Sequence, residues 1–209
     1  MSGVVNRRPI MTLYAEANDP VGHGVRIVLA EKDINVDINF ITQETKPEDL
    51  NDLNPYHGLL TLIDRDLVVY DPQIMMEYLD ERYPHPPLMP VDPVSRANNR
   101  QIRFRVMRDL YGLLDALRSD NEVAAADARK VVRDNLTAIS PIFARHPYFL
   151  SAEYSIADCC LAPLLWRLAH YGIKLSAQAK PLLKYAESLF LRPAFQSSLS
   201  PRERDLHLA

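Results

Sequence analysis

The stretch Glu77-Tyr-Leu-Asp-Glu-Arg-Tyr-Pro-His-Pro-Pro-Leu-Met-Pro90 divides the chain. Its first half carries helical spacing, with Ile74, Met75, Tyr78 and Leu79 apolar and Glu77, Asp80, Glu81 and Arg82 between them. Its second half places four prolines in the seven residues 84–90. Pro84 has no amide hydrogen and disfavours helical geometry at Tyr83, so the helix is expected to stop there. Pro86, Pro87 and Pro90 hold the following chain extended. Before this stretch strands and helices alternate; after it the periodicity is helical throughout. Residues 84–92 therefore read as a stiff joint between two domains, displaying His85.

Working back from the joint, residues 10–14 form a compact apolar run that predicts a first strand. A loop with Asn18, Asp19, Pro20 and Gly22 leads into a predicted helix over 23–32, with Val25, Val28 and Leu29 on one face. Residues 36–41 alternate as a second strand, and 45–53 read as a short polar helix with Pro47 in its first turn. Residues 59–63 and 66–70 are two strands so closely linked that they must form an antiparallel hairpin. A helix over 71–83 closes the unit. The order β-α-β-α-β-β-α is that of a thioredoxin-like sheet. Residues 1–9 are expected to be a flexible leader, and 10–83 the α/β domain.

Working forward, residues 93–117 predict one long helix with Ile102, Val106, Leu110, Leu113, Leu114 and Leu117 inward. Arg96, Arg100, Arg103, Arg105 and Arg108 cluster on it. They read either as a surface for an acidic partner or as a solvated face paired with Asp92 and Asp109. In a second helix over 121–145, Pro141 is expected to kink or shorten the helix near Ile139. Ser155 and Asp158 form a helix-starting box before the most apolar segment, 159–166. Helices over 177–191 and 193–200 follow. The all-α domain is thus expected over 93–200, with a charged, frayed tail over 201–209.

Composition narrows the function. The 209 residues are 47% apolar and 24% charged, the range of ordinary globular proteins. A net charge of −3 argues against a general nucleic-acid binder. No apolar run approaches the about 20 residues of a membrane helix, and the N-terminus lacks the apolar core of a secretory signal. The two cysteines, Cys159 and Cys160, are adjacent, which suits two free thiols in a reducing cytoplasm. They lie in an apolar helix, without the further ligands a metal needs; the expectation is packing, with no metal and no cofactor.

Arg26-Ile-Val-Leu-Ala-Glu-Lys32, Leu53-Asn-Pro55 and Asp71 with Glu77-Tyr-Leu79 lie in the order and at the distances of the N-terminal domain of the glutathione transferase superfamily. With Pro84-His-Pro-Pro-Leu-Met-Pro90 and Met11-Thr-Leu13, the chain most resembles its bacterial branch that associates with RNA polymerase. The resemblance implies a glutathione transferase-like fold: an α/β N-terminal thioredoxin-like domain plus an all-α C-terminal domain, assembled as a homodimer.

What it implies about chemistry is negative. The position of the catalytic serine or cysteine falls on Asp19, whose carboxylate would repel a thiolate. Tyr14, near the position that tyrosine-type enzymes use, reads as a strand residue. The position of the cis-proline falls on Leu60, where a cis bond would cost about 2.5–4 kcal/mol. The acid–serine pair that holds the γ-glutamyl carboxylate becomes Asp71-Pro72, and proline can donate no hydrogen bond. Asp71 remains able to cap its helix. Three glutathione contacts are thus expected to be vacated, at Asp19, Leu60 and Asp71–Pro72, leaving no catalytic residue.

The same resemblance implies a transcription regulator of the starvation response that acts by protein contact. Its expected partner is RNA polymerase holoenzyme with the principal sigma factor, with DNA reached only through polymerase. The expected contact residues are Tyr83, Pro84, His85, Pro86, Pro87 and Leu88, with Met89 adding apolar area. A preorganised loop loses little conformational entropy on docking. The alternatives are a divergent glutathione transferase acting on small electrophiles, and a DNA binder using the arginine-rich helix, which no DNA-binding motif supports.

Overall fold

A computed structural model describes residues 11–206. The expected leader 1–9, the strand start at Ile10 and residues 207–209 lie outside it. The N-terminal unit runs β1 (Met11–Ala15), α1 (Pro20–Glu31), β2 (Val36–Phe40), α2 (Asp49–Leu53), β3 (Thr61–Asp64), β4 (Leu67–Val69) and α3 (Pro72–Arg82). The sheet order is β2-β1-β3-β4. β1 pairs β2 in parallel, while β3 is antiparallel to β1 and to β4. Leu13 sits opposite both Ile38 and Leu62, and Leu62 opposite Val69. Leu13 and Leu62 are fully buried, facing the core that α1 and α3 cover. Arg65, at φ 58, turns the β3–β4 hairpin.

The helical unit comprises α4 (Pro93–Arg105), α5 (Leu114–Leu117), α6 (Glu122–Ile139), α7 (Ile156–Trp166), α8 (Lys180–Phe190), α9 (Pro193–Ser198) and α10 (Pro201–Asp205). The single helix expected over 93–117 is interrupted: α4 widens into a π turn at Val106–Leu110 and tightens into a 3-10 turn at Tyr111–Leu113 before α5. The apolar stripe persists through the break, with Val106, Leu110, Tyr111, Leu114 and Leu117 buried. Pro141 acts as expected, converting the end of α6 into the 3-10 turn Ser140–Ala144.

All eleven residues of α7 are buried, as expected of a helix apolar on every side. Its capping box forms: Ser155 accepts from the helix start and Asp158 Oδ2 accepts from Ser155 N at 2.8 Å. Asp158 also takes hydrogen bonds from Phe149 N (2.9 Å) and Tyr185 Oη (2.7 Å). α1 crosses α7 closely at Gly24, where a Cβ would lie 3.2 Å from the Cys159 carbonyl oxygen. This crossing welds the two units together.

The C-terminal segment corrects the sequence reading. Residues 201–205 are not frayed but form α10, started by a second box, Ser200 with Glu203. Glu203 is fully buried. It receives Arg26 Nη2 at 2.5–2.6 Å and also the Arg167 guanidinium, while its carbonyl takes Trp166 Nε1 at 2.8 Å. A carboxylate can be buried when two guanidiniums meet it. The charged composition of the tail concealed this ion cluster, which ties α1 to α7 and α10.

Candidate functional site

α3 ends as Tyr83 N closes the last turn on Leu79 O at 3.0 Å and Pro84 offers no further donor. Pro84, His85, Pro86 and Pro87 are all exposed, and Tyr83 is half-buried. The His85–Pro86 bond is cis. Leu88 and Met89 turn inward, only 3% and 6% exposed. Leu88, expected among the contact residues, and Met89 are therefore anchors beneath the loop: burial in the core removes them from any outside partner.

The loop is moored from below. Lys32 Nζ, at the end of α1, donates to the carbonyl of Tyr83 at 2.7 Å and to that of Pro86. It also lies 2.6 Å from Asp80 Oδ1. The same Asp80 oxygen accepts from Leu88 N at 2.7 Å. Leu88 O in turn accepts from Ile156 N at 3.0 Å, at the start of α7. One buried ion pair thus holds both ends of residues 83–88 and sets them over the joint between the units.

The arginines of α4 clamp the same joint from the side. Arg100 reaches Glu77 of α3 with two nitrogens, at 2.6–3.2 Å. Arg103 pairs with Glu77 and donates to Gln73 Oε1 at 2.9 Å. Arg96 lies 3.5 Å from Glu81. These bonds hold Glu77 below the usual carboxylate range. Of the pairs expected from sequence only Arg105–Asp109, at 3.7 Å, is present; Asp92 instead caps α4 by accepting from Ser95 N at 2.9 Å. Arg96, Arg100 and Arg103 thus form an interdomain clamp, because acids on α3 face them.

A second feature collects the transferase positions. Asp19, Leu60 and Pro72 line one cleft of about 400 Å³ together with Glu16, Tyr56 and Tyr70. Asp19 caps α1, its Oδ2 accepting from Gly22 N at 2.7 Å. Asp71 caps α3, accepting from Gln73 N at 2.8 Å and Ile74 N at 2.9 Å, with Pro72 in the first turn. The peptide before Leu60 is trans. Both helix starts are thus satisfied by the chain's own carboxylates. Tyr14 lies half-buried in β1, outside the cleft lining.

Cys159 and Cys160 are buried and unpaired with each other. Burial pushes the Cys160 thiol up to about 11, and raises Cys159 well above its ordinary value. Gln73 Nε2 lies 3.6 Å from Cys160 Sγ and Tyr154 Oη 3.4 Å from Cys159 Sγ. Among the described residues no His, Cys, Asp and Glu group is placed to hold a metal.

Sequence reasoning missed the Lys32–Asp80 pair and, separately, the buried Glu203, reading them as polar helix ends or tail. Two signals were available. Asp80 stands four residues after Met76 and continues its buried face. Ser200-x-x-Glu203 repeats the box recognised at Ser155-x-x-Asp158.

Against known proteins, residues 20–82 match the family "Glutathione S-transferase, N-terminal domain" and residues 122–188 match "Glutathione S-transferase, C-terminal domain". The theta class glutathione S-transferase of Xanthomonas axonopodis pv. citri with glutathione bound superposes with a TM-score of 0.83. It is 19% identical, covering 91% of this chain and 97% of that one. The chain is a member of the glutathione S-transferase superfamily. Two curated relatives place it more narrowly. The stringent starvation protein A homologue of Pasteurella multocida is 44% identical over 95% of this chain and 94% of its own. That of Coxiella burnetii is 42% identical over 96% of each. The chain belongs to the stringent starvation protein A family.

Proposed function

We propose that the protein is a non-catalytic transcription regulator of the starvation response. It acts as a cytoplasmic homodimer that docks on RNA polymerase holoenzyme containing the principal sigma factor. The observation that carries this reading is the loop 84–87, exposed at every residue yet fixed from beneath by the buried Lys32–Asp80 pair. A surface held in one shape before docking loses little entropy when it binds. His85 supplies ring nitrogens and the flanking prolines supply apolar area, with Tyr83 half-exposed beside them. Partner contact is assigned to Tyr83, Pro84, His85, Pro86 and Pro87.

The cleft supports the non-catalytic half of the proposal. Asp19 occupies the α1 start with a carboxylate, and Asp71–Pro72 leaves no hydroxyl at the start of α3. Leu60 is trans, and the Asp19 and Asp71 carboxylates are spent on helix capping. Among the described residues no helix is long and apolar enough to cross a membrane, and DNA is reached through polymerase. The test is co-purification of sigma-containing polymerase with the intact protein and with Pro84→Ala/His85→Ala/Pro86→Ala. Retention by the first and loss by the folded triple variant is the expected result; equal retention overturns the loop assignment.

A further inference from the structure

A groove of about 620 Å³ lies between residues 143–147 and the first two turns of α8. It shares no lining residue with the proline–histidine loop or with the transferase cleft. Arg145 and His146 form one wall, Lys180 and Lys184 the other, and no aspartate or glutamate lines it. In a chain of net charge −3 this is a local concentration of one sign.

Arg145, Lys180 and Lys184 differ in their surroundings from many arginines of the chain. Arg26, Arg96, Arg100, Arg103, Arg129, Arg167 and Arg192 all meet carboxylates. Among the described residues, none of the four groove residues forms an ion pair. Asp158 lies beneath, as the acceptor of Tyr185 Oη, but it is fully buried and takes its further hydrogen bonds from Phe149 and Ser155.

The start of α8 adds to the same sign of charge. Its first turn holds no acid, and its cap, Ala179, has no side chain that accepts a hydrogen bond. Lys180 therefore adds positive charge to the positive end of an eleven-residue helix dipole, the unfavourable arrangement for a cation. The helix end itself is satisfied, since Ser140 Oγ accepts from Leu182 N at 3.2 Å; a carboxylate arriving in the groove would instead pair the lysines.

We propose that this groove docks an acidic segment of a partner protein. Charge complementarity selects an anion, and the apolar part of the lining selects the kind. Pro147 and Pro181 add apolar lining beside Arg145, Lys180 and Lys184, which suits glutamate or aspartate interleaved with apolar side chains. A nucleic-acid backbone would want a broad basic face, which a protein of this net charge opposes.

The test uses the full chain and a labelled peptide of alternating Glu and Leu, followed by fluorescence anisotropy at low and high ionic strength. The matching Gln–Leu peptide and a single-stranded oligonucleotide serve as comparisons. Saturable binding of the acidic peptide is expected, weakened by salt and weakened about tenfold by Lys180→Gln/Lys184→Gln, as for loss of close charge pairs. Arg145→Gln, on the opposite wall and outside any helix, should weaken it independently. The Pro84/His85/Pro86 alanine triple should bind as the intact protein does, so failure of the loop reading leaves this result standing. Absence of saturable binding, equal binding of the Gln–Leu peptide, indifference to both groove variants, or tighter binding of the oligonucleotide would overturn the proposal.

Discussion

Lys32 Nζ lies 2.6 Å from Asp80 Oδ1, joining the end of α1 to α3, and both side chains are shielded from water. The pair does more than neutralise itself. Lys32 also donates to two loop carbonyls, and Asp80 accepts from the Leu88 amide. The conformation of the exposed loop is therefore set by two residues that no docking partner can touch.

Removing one partner strands the other. Lys32→Met should destabilise the fold by about 3–5 kcal/mol, the usual cost of an uncompensated buried charge. Lys32→Met combined with Asp80→Leu should recover much of that loss, since a buried pair is often replaceable by apolar side chains. The Leu88 amide should still exchange faster with solvent in the double variant, because its acceptor is gone. Denaturant unfolding and amide exchange read the two effects separately. Unchanged Leu88 protection in the double variant would contradict the mooring.

His23 makes stability depend on pH. Its Nδ1 lies 3.2 Å from Arg167 Nη1 and its Nε2 2.9 Å from Ser198 Oγ. A guanidinium can only donate, so Nδ1 accepts and the proton sits on Nε2. Burial, then Arg26 and Arg167, hold its pKa well below the ordinary 6.5. The unfolded chain thus binds a proton below 6.5 that the folded chain refuses. Stability should be full above that value and fall as pH drops, by up to about 1.4 kcal/mol per unit for one proton. Asp158, raised by burial above 3.8, acts with the opposite sign in a more acidic window. Urea midpoints should drop between about pH 7.5 and pH 5.5 in the intact protein and less in His23→Gln. Equal slopes would contradict the assignment.

The thiols should be silent in the fold. With Cys160 pushed up to about 11 and Cys159 also raised, little thiolate exists near neutrality. Iodoacetamide at about pH 8 should leave the native chain unmodified and alkylate both cysteines once urea exposes them. Rapid native alkylation would show that α7 opens far more readily than its burial implies.

The transferase cleft should be unresponsive to glutathione. Calorimetry at about millimolar ligand, where even a binding free energy near −4 kcal/mol registers, is expected to show no saturable heat. A saturating isotherm would return the enzymatic reading to the account.

The sheet was legible because Ile38 alternates with Asp37 and Asn39 while Leu13 and Leu62 lie in short, mainly apolar runs bounded by turn residues. The helix starts at Asp71 and Ser155 were legible because capping is local chemistry, read within four residues. The exposed prolines and His85 followed from the break in periodicity. Leu88 was misassigned because sequence proximity to an exposed loop says nothing of which way the next side chain turns. The Arg26–Glu203 and Lys32–Asp80 contacts join residues 177 and 48 positions apart. Periodicity cannot show such pairs, since a buried charge resembles a solvated one until its partner is known.

The central claim is that the exposed loop is the working surface. Its most direct measurement is the equilibrium affinity of the protein for sigma-containing holoenzyme, compared with core polymerase and with the Pro84/His85/Pro86 alanine triple. The account predicts tight binding to holoenzyme, weaker binding to core, and loss of at least about tenfold in the triple, equivalent to about 1.4 kcal/mol, with its unfolding midpoint unchanged. Equal affinity of the folded triple for holoenzyme would contradict it.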